Sequence, residues 1–245
     1  MRSMLLVTAG LLIAYATSSG HARSVAPHSS VLDEALNRGG LQIFTDQAMF
    51  DAAIGDPAAL IVETFDGGAT PDGVIYDCEE PVSSVSDDDS FDPGQLVDGF
   101  AITSSAGSGI VTIGAGRYGV GQTSTIIGAQ AFADATIVTF EPPANAVSMD
   151  LYDVRDAQEI SIEAFDKSGV SLGAAAVTPP AVDMPSFIGM ISAAPIARVE
   201  VAAANGSSEL IDNLRFVVAN AIFSDGFDVA TDLLAASGAE TNRTR

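Results

Sequence analysis

From residue 60 onward the apolar residues of this chain recur at every second position, and that period limits what it can fold into. Val147, Met149 and Leu151 alternate with Ser148 and Asp150. Ile160 and Ile162 alternate with Glu159, Ser161 and Glu163, and Val199 and Val201 with Arg198 and Glu200. Successive side chains of a strand point to opposite faces, so each stretch reads as a half-buried strand with one wet face. Further strands are expected at 41–44, 60–66, 98–103, 109–113, 136–141, 170–177, 186–191 and 209–218. Asp66-Gly67-Gly68, Lys167-Ser168-Gly169, Pro179-Pro180 and Asn205-Gly206 supply turns between them. A single helix is expected early: Thr45 or Asp46 caps it, Ala48 to Ile54 form it, Gly55 stops it and Pro57 prevents its resumption. Many short strands and one helix predict an all-β fold over 41–218, a β-sandwich or jelly roll with one short N-terminal helix.

Within that span, residues 68–96 break the pattern. They carry Asp77, Glu79, Glu80, Asp87, Asp88, Asp89 and Asp92 with few aliphatics, which predicts a long acidic surface loop. Cys78 lies there; as the chain's one cysteine it has no internal partner, and it is expected as a bystander thiol in a loop.

The two ends read differently from the middle. Arg2, an apolar run from Met4 to Ala16, and small residues up to Gly20-His21-Ala22 form the pattern of a cleavable secretory leader at 1–22. The run falls short of the roughly 20 residues that a spanning helix needs. Residues 23–40 are expected as a flexible N-terminal segment and 219–245 as a polar C-terminal tail. The expected mature protein is secreted or periplasmic, with no membrane span after cleavage.

Charge and histidine content narrow the function. The chain carries 32 acidic and 10 basic residues, a net charge of −22. That balance argues against nucleic acid and anionic lipid as partners, and favours solubility and cation binding. Beyond the leader, His28 is the one histidine. A Ser-His-Asp or Cys-His centre therefore has no base, and a zinc site on His or Cys has no ligand set. Gly114-Ala115-Gly116-Arg117-Tyr118-Gly119 fits the G-x-G-x-x-G pattern after an apolar strand. A dinucleotide site also needs a helix directly afterwards, and Val120 to Gly128, with two glycines and several β-branched residues, is a poor helix. A glycine-rich hairpin is expected instead. No catalytic residues are assigned, and an enzyme is the less favoured class.

Acids on apolar rows are more informative. Ile61, Glu63 and Phe65 read as one face of a strand; Leu210, Asp212, Leu214 and Phe216 read as one face of another. A carboxylate on a core-facing row is unfavourable unless it is paired or holds a cation. Glu63 and Asp212, with Asp66 and Asn213 beside them, are the expected ligands of a structural calcium ion. Two plainer readings stand next to this one: Glu63 faces solvent while Leu60, Val62 and Thr64 form the core row, or Asp212 caps a loop. The run Asp87-Asp88-Asp89-Ser90-Phe91-Asp92 lacks the EF-hand glycine and is expected as a solvated acidic loop.

Several short stretches also resemble a known group. These are Phe187-Ile188-Gly189-Met190-Ile191-Ser192, Pro195-Ile196-Ala197-Arg198-Val199-Glu200-Val201 and Leu210-Ile211-Asp212-Asn213-Leu214-Arg215-Phe216. With Cys78-Glu79-Glu80-Pro81 and Phe91-Asp92-Pro93-Gly94, they are similar to exported bacterial β-jelly-roll domains of the kind found in PEP-CTERM-type proteins. Related sandwiches include carbohydrate-binding modules, which often hold a structural calcium between an early-strand acid and an Asp of the last strand. That pattern maps onto Glu63 and Asp212. The resemblance implies a non-catalytic exported module, with an extracellular glycan or a surface protein as partner. The alternatives are a structural or adhesive matrix protein, and a carboxylate-dependent glycan hydrolase or lyase. The Pro-Glu-Pro sorting signal is not found here, which favours release or periplasmic residence. The chain has no Trp and four Tyr, one of them in the leader, leaving Tyr76, Tyr118 and Tyr152 as candidate sugar platforms.

Overall fold

A computed structural model describes residues 40–219; the leader, the N-terminal segment up to residue 39 and the C-terminal tail from residue 220 lie outside them. Strand β1 (Leu41–Phe44) runs into helix α1 (Gln47–Ile54). The Asp46 side chain accepts a hydrogen bond from Met49 N at 2.9 Å, an N-cap that satisfies a donor the helix leaves orphaned. Gly55 takes φ 79° and ends the helix. The remaining elements are strands and two short 3-10 turns, at Pro57–Ala59 and Ala204–Gly206. The strands are β2 (Ile61–Glu63), β3 (Ile75–Cys78), β4 (Val82–Ser83), β5 (Phe100–Ser104), β6 (Ile110–Ile113) and β7 (Ile126–Ala129). They continue with β8 (Thr136–Asp153), β9 (Ile160–Phe165), β10 (Ser171–Val177), β11 (Ser186–Ala203) and β12 (Glu209–Val218).

All pairings between these strands are antiparallel. Two long strands, β8 and β11, make the sandwich. Each belongs to one set of partners in one half and to another set in the other. The first half of β8 pairs with β5 and with the second half of β11, which pairs in turn with β9. The second half of β8 pairs with β12 and with the first half of β11, which carries β1. The changeover falls where both strands lose register, near Pro142-Pro143 and Pro195. Proline donates no ladder hydrogen bond, so such residues sit where a strand bends or bulges. The main core lies between the two sets. Ile102, Val138, Phe140 and Val199 come from one side, and Met149, Met190, Leu214 and Phe216 from the other.

The all-β class and the early helix agree with the sequence. Three expectations need correction. Residues 68–96 are not a plain surface loop: they contain β3 and β4, and Val82, Phe91 and Leu96 are buried in the main core. Cys78 is no loop thiol; it is buried on β3, and its Sγ donates to Ser90 Oγ at 3.2 Å. Asp212 does not share a face with Leu214 and Phe216. Asn213 adopts φ 48°, and the register of β12 against β8 shifts between Asp212 and Arg215. A bulge of this kind inserts one residue and flips the row that follows. Ile211, Leu214 and Phe216 therefore point into the main core, while Leu210 packs in a smaller cluster with Ile126 and Tyr152.

Candidate functional site

The bulge aims Asp212 away from the main core and towards other acids. Asp212 stands opposite Asp150 of β8 in the ladder. Like charges directly opposite on a sheet repel. Asp212 is fully buried and Asp150 half-buried. Asp66, just past β2, binds the residue next to Ser124: its Oδ1 accepts from Thr125 N at 2.8 Å. Its preceding residue, Phe65, is in the left-handed region at φ 58°. Two non-glycine residues with left-handed backbone, Phe65 and Asn213, thus flank Asp66 and Asp212. Such backbone is held only where the surroundings over-determine it.

The donors around Asp212 are few and neutral. Asn213 N donates to Oδ1 at 2.6 Å, and Asn213 Nδ2 to Oδ2 at 3.3 Å. Ser124 Oγ also donates to Oδ2. Asn213 Nδ2 reaches Asp150 Oδ2 at 2.9 Å, so one amide bridges the two acids. Burial pushes the Asp212 carboxyl up to about 7, with Asp66 and Asp150 adding to the shift against the Ser124 and Asn213 hydrogen bonds. Burial also raises Asp150, opposed by Asn213 and Arg215. Tyr152 is pushed up to about 12, first by burial and then by Asp212 and Asp150. Arg215 gives its guanidinium to Asp51 of α1 at 3.5 Å.

The glycine-rich hairpin is the scaffold of this corner. Gln122 is 1% exposed and knots it: its Nε2 donates to the carbonyls of Ile113, Gly114 and Ser124, and its Oε1 accepts from Tyr118 N. That knot fixes Ser124 beside Asp212. Gly121 N donates to Asp183 Oδ2 at 3.0 Å, bringing a fourth carboxylate from the β10–β11 loop. The approach is close: a Cβ on Gly121 would lie 2.5 Å from the Asp183 carbonyl oxygen. Val120, 96% exposed, and Met184, 49% exposed, flank this contact.

Of the four residues singled out in the sequence, Asp66, Asp212 and Asn213 converge here. Glu63 faces inward, as the apolar row predicted, but serves the backbone: Oε1 accepts from Phe65 N at 2.7 Å and Oε2 from Val97 N at 2.9 Å. The sequence reading does not point to Asp150, Asp183 or Ser124, and Tyr152, expected as a candidate sugar platform, is 3% exposed and presents no ring face to a sugar. Asp150 read as the wet side of an alternating strand, and only the cross-strand register reveals what it faces. Among the described residues, no group of three or more His, Cys, Asp or Glu side chains is placed so that it could hold a metal ion. The chemistry of the corner, carboxylate, amide and hydroxyl oxygens, suits a hard cation such as calcium. As placed, those oxygens take hydrogen bonds from Ser124, Thr125 and Asn213.

No protein-family model and no curated protein matches the chain. Solved structures similar to it include two variants of a family 29 carbohydrate binding module. Each is 12% identical with a TM-score of 0.32, covering 59% of this chain and 92% of the module. A cleaved adhesin domain of Lys-gingipain from Porphyromonas gingivalis is 11% identical with a TM-score of 0.20, covering 64% of this chain and 96% of that one. The assignment of an all-β sandwich rests on the strand pairing above. Among the described residues, no helix is long and apolar enough to cross a membrane.

Proposed function

We propose that the chain is an exported, non-catalytic binding module, with a calcium ion as a structural element at the Asp212 corner and an extracellular glycan or surface protein as partner. The observation that carries this reading is the convergence of Asp66 and Asp150 on the buried carboxylate of Asp212, which has no Lys or Arg bound to it among the described residues. A buried charge is retained when a cation or a hydrogen-bond set compensates it. The ion would draw on Asp66, Asp150 and Asp212, with Asn213 and Ser124 as neutral oxygens, and would replace the hydrogen bonds now given to Asp212. Glu63 is left out of the ligand set, because both of its oxygens hold backbone N–H groups.

Burial supports the non-catalytic part. A carboxylate that attacks a sugar or passes it a proton must touch it. Asp212 is 0% exposed. Export is supported by the leader pattern at 1–22. The outer rim, with Val120, Met184 and the half-buried Tyr118, is the surface a partner would meet next to the ion. A glycan array probed with and without calcium tests the reading. Calcium-dependent retention of a glycan without turnover is expected. Release of product, lost in Asp150→Asn, would replace it with a hydrolase or lyase.

A further inference from the structure

Glu209 is a buried carboxylate that the Asp212 corner does not use. It opens β12 opposite Asp153 of β8 and is 1% exposed. Strand alternation sends its side chain to the opposite face from Asp212. Oε2 accepts one hydrogen bond, from Ala203 N at 3.3 Å, and Oε1 has no partner among the described residues. Among the described residues, the charged groups whose fields act on it are acids: Asp153 on β8 and Asp134 in the β7–β8 turn. Asp153 cannot lend it a donor, because its own oxygens are filled by three backbone N–H groups and by the Ser207 and Ser208 hydroxyls. The 204–206 turn passes close to the β7–β8 turn here: a Cβ on Gly206 would lie 3.9 Å from Phe132 O.

We propose that Glu209 is held as a neutral acid and works as a proton latch: while protonated it lets the 204–206 and β7–β8 turns close over this end of the sandwich, and on losing its proton it loosens them. The physical cause is the absence of compensation. An ionised carboxylate here would be out of water, between two further carboxylates, with one long hydrogen bond. Burial, followed by the fields of Asp153 and Asp134, pushes the Glu209 carboxyl up to about 8, against the pull of the nearby backbone N–H groups of Glu209 and Ala203. A folded-state value above the unfolded one means that the native state holds the proton more tightly. The stabilising effect is therefore complete below the ordinary glutamate range and is lost as the pH rises through about 8.

The test is a pair of pH series in chelator, with wild type and Glu209→Gln. The wild-type melting temperature should fall from pH 6 to pH 9.5 by about 5 °C more than that of the variant. Carboxyl carbon NMR on the wild type gives a second readout that does not need the variant to fold. Glu209 should titrate near pH 8, and amide exchange at 204–208 should quicken as it does. Titration of Glu209 in the ordinary carboxylate range, or parallel pH curves for the two proteins, would overturn the latch. So would abolition of its titration by calcium, which would make the occupant a metal ion.

Discussion

Asp153 and Asp212 are both fully buried carboxylates at one end of the sandwich, yet they are solvated in opposite ways. Asp153 closes β8 and collects the N–H groups of Arg155, Asp156 and Gln158, together with the hydroxyls of Ser207 and Ser208. Burial pushes its carboxyl up, but those donors outweigh burial and hold it below the usual aspartate range. Asp212 has Ser124 and Asn213, faces Asp66 and Asp150, and is driven up to about 7. One acid is a finished structural knot; the other is left with unspent negative charge. In a chain with net charge −22, acid content alone says nothing about a site. What separates structure from function is whether the protein supplies the donors.

Changes to the two carboxylates, or to the loops that frame them, can break that contrast. The largest effect is expected from Asp153→Ala, which strands several buried donors at once. It should cost about 3 kcal/mol of unfolding free energy in urea titrations. A loss below about 1 kcal/mol would show that the knot is not needed. Gly121→Ala should cost about 2 kcal/mol, because the new methyl meets the Asp183 main chain and cannot rotate away. Asp212→Asn, measured in chelator, should change stability by less than about 1 kcal/mol, since it removes a charge that Asp66 and Asp150 oppose. A large loss would place Asp212 in the same class as Asp153. The smallest effect is a pH slope. A depressed folded pKa means that the contribution of Asp153 is present above the ordinary aspartate value and is lost as the pH falls through the lower folded one. Asp153→Asn should flatten the acid limb of the stability curve, which a melt series across acidic pH would read.

The sequence carried the fold class well, because a period of two is written in the residue order itself. The cap at Asp46 and the stop at Gly55 were equally local. What was not legible depended on partners distant in sequence. Val82, Phe91 and Leu96 look sparse within an acidic stretch, and only the folded chain gathers them into the core. The row of Leu210, Asp212, Leu214 and Phe216 looked continuous because alternation assumes an unbroken strand. The left-handed Asn213 inserts a bulge that no spacing rule announces. The apolar row around Glu63 signals an inward-facing acid, and Glu63 is buried, but its backbone partners at Phe65 and Val97 cannot be inferred from that row. Asp150 was visible as an acid and invisible as a neighbour of Asp212.

A cation is proposed to complete the acid cluster at the Asp212 corner. Melting curves of wild type and Asp212→Asn in millimolar calcium and in chelator test it most directly, since a ligand that binds the native state raises its stability by mass action. Wild type is expected to melt about 5 °C higher in calcium, and Asp212→Asn at the same temperature in both. Superimposable wild-type curves, or a calcium effect that survives in Asp212→Asn, would contradict it.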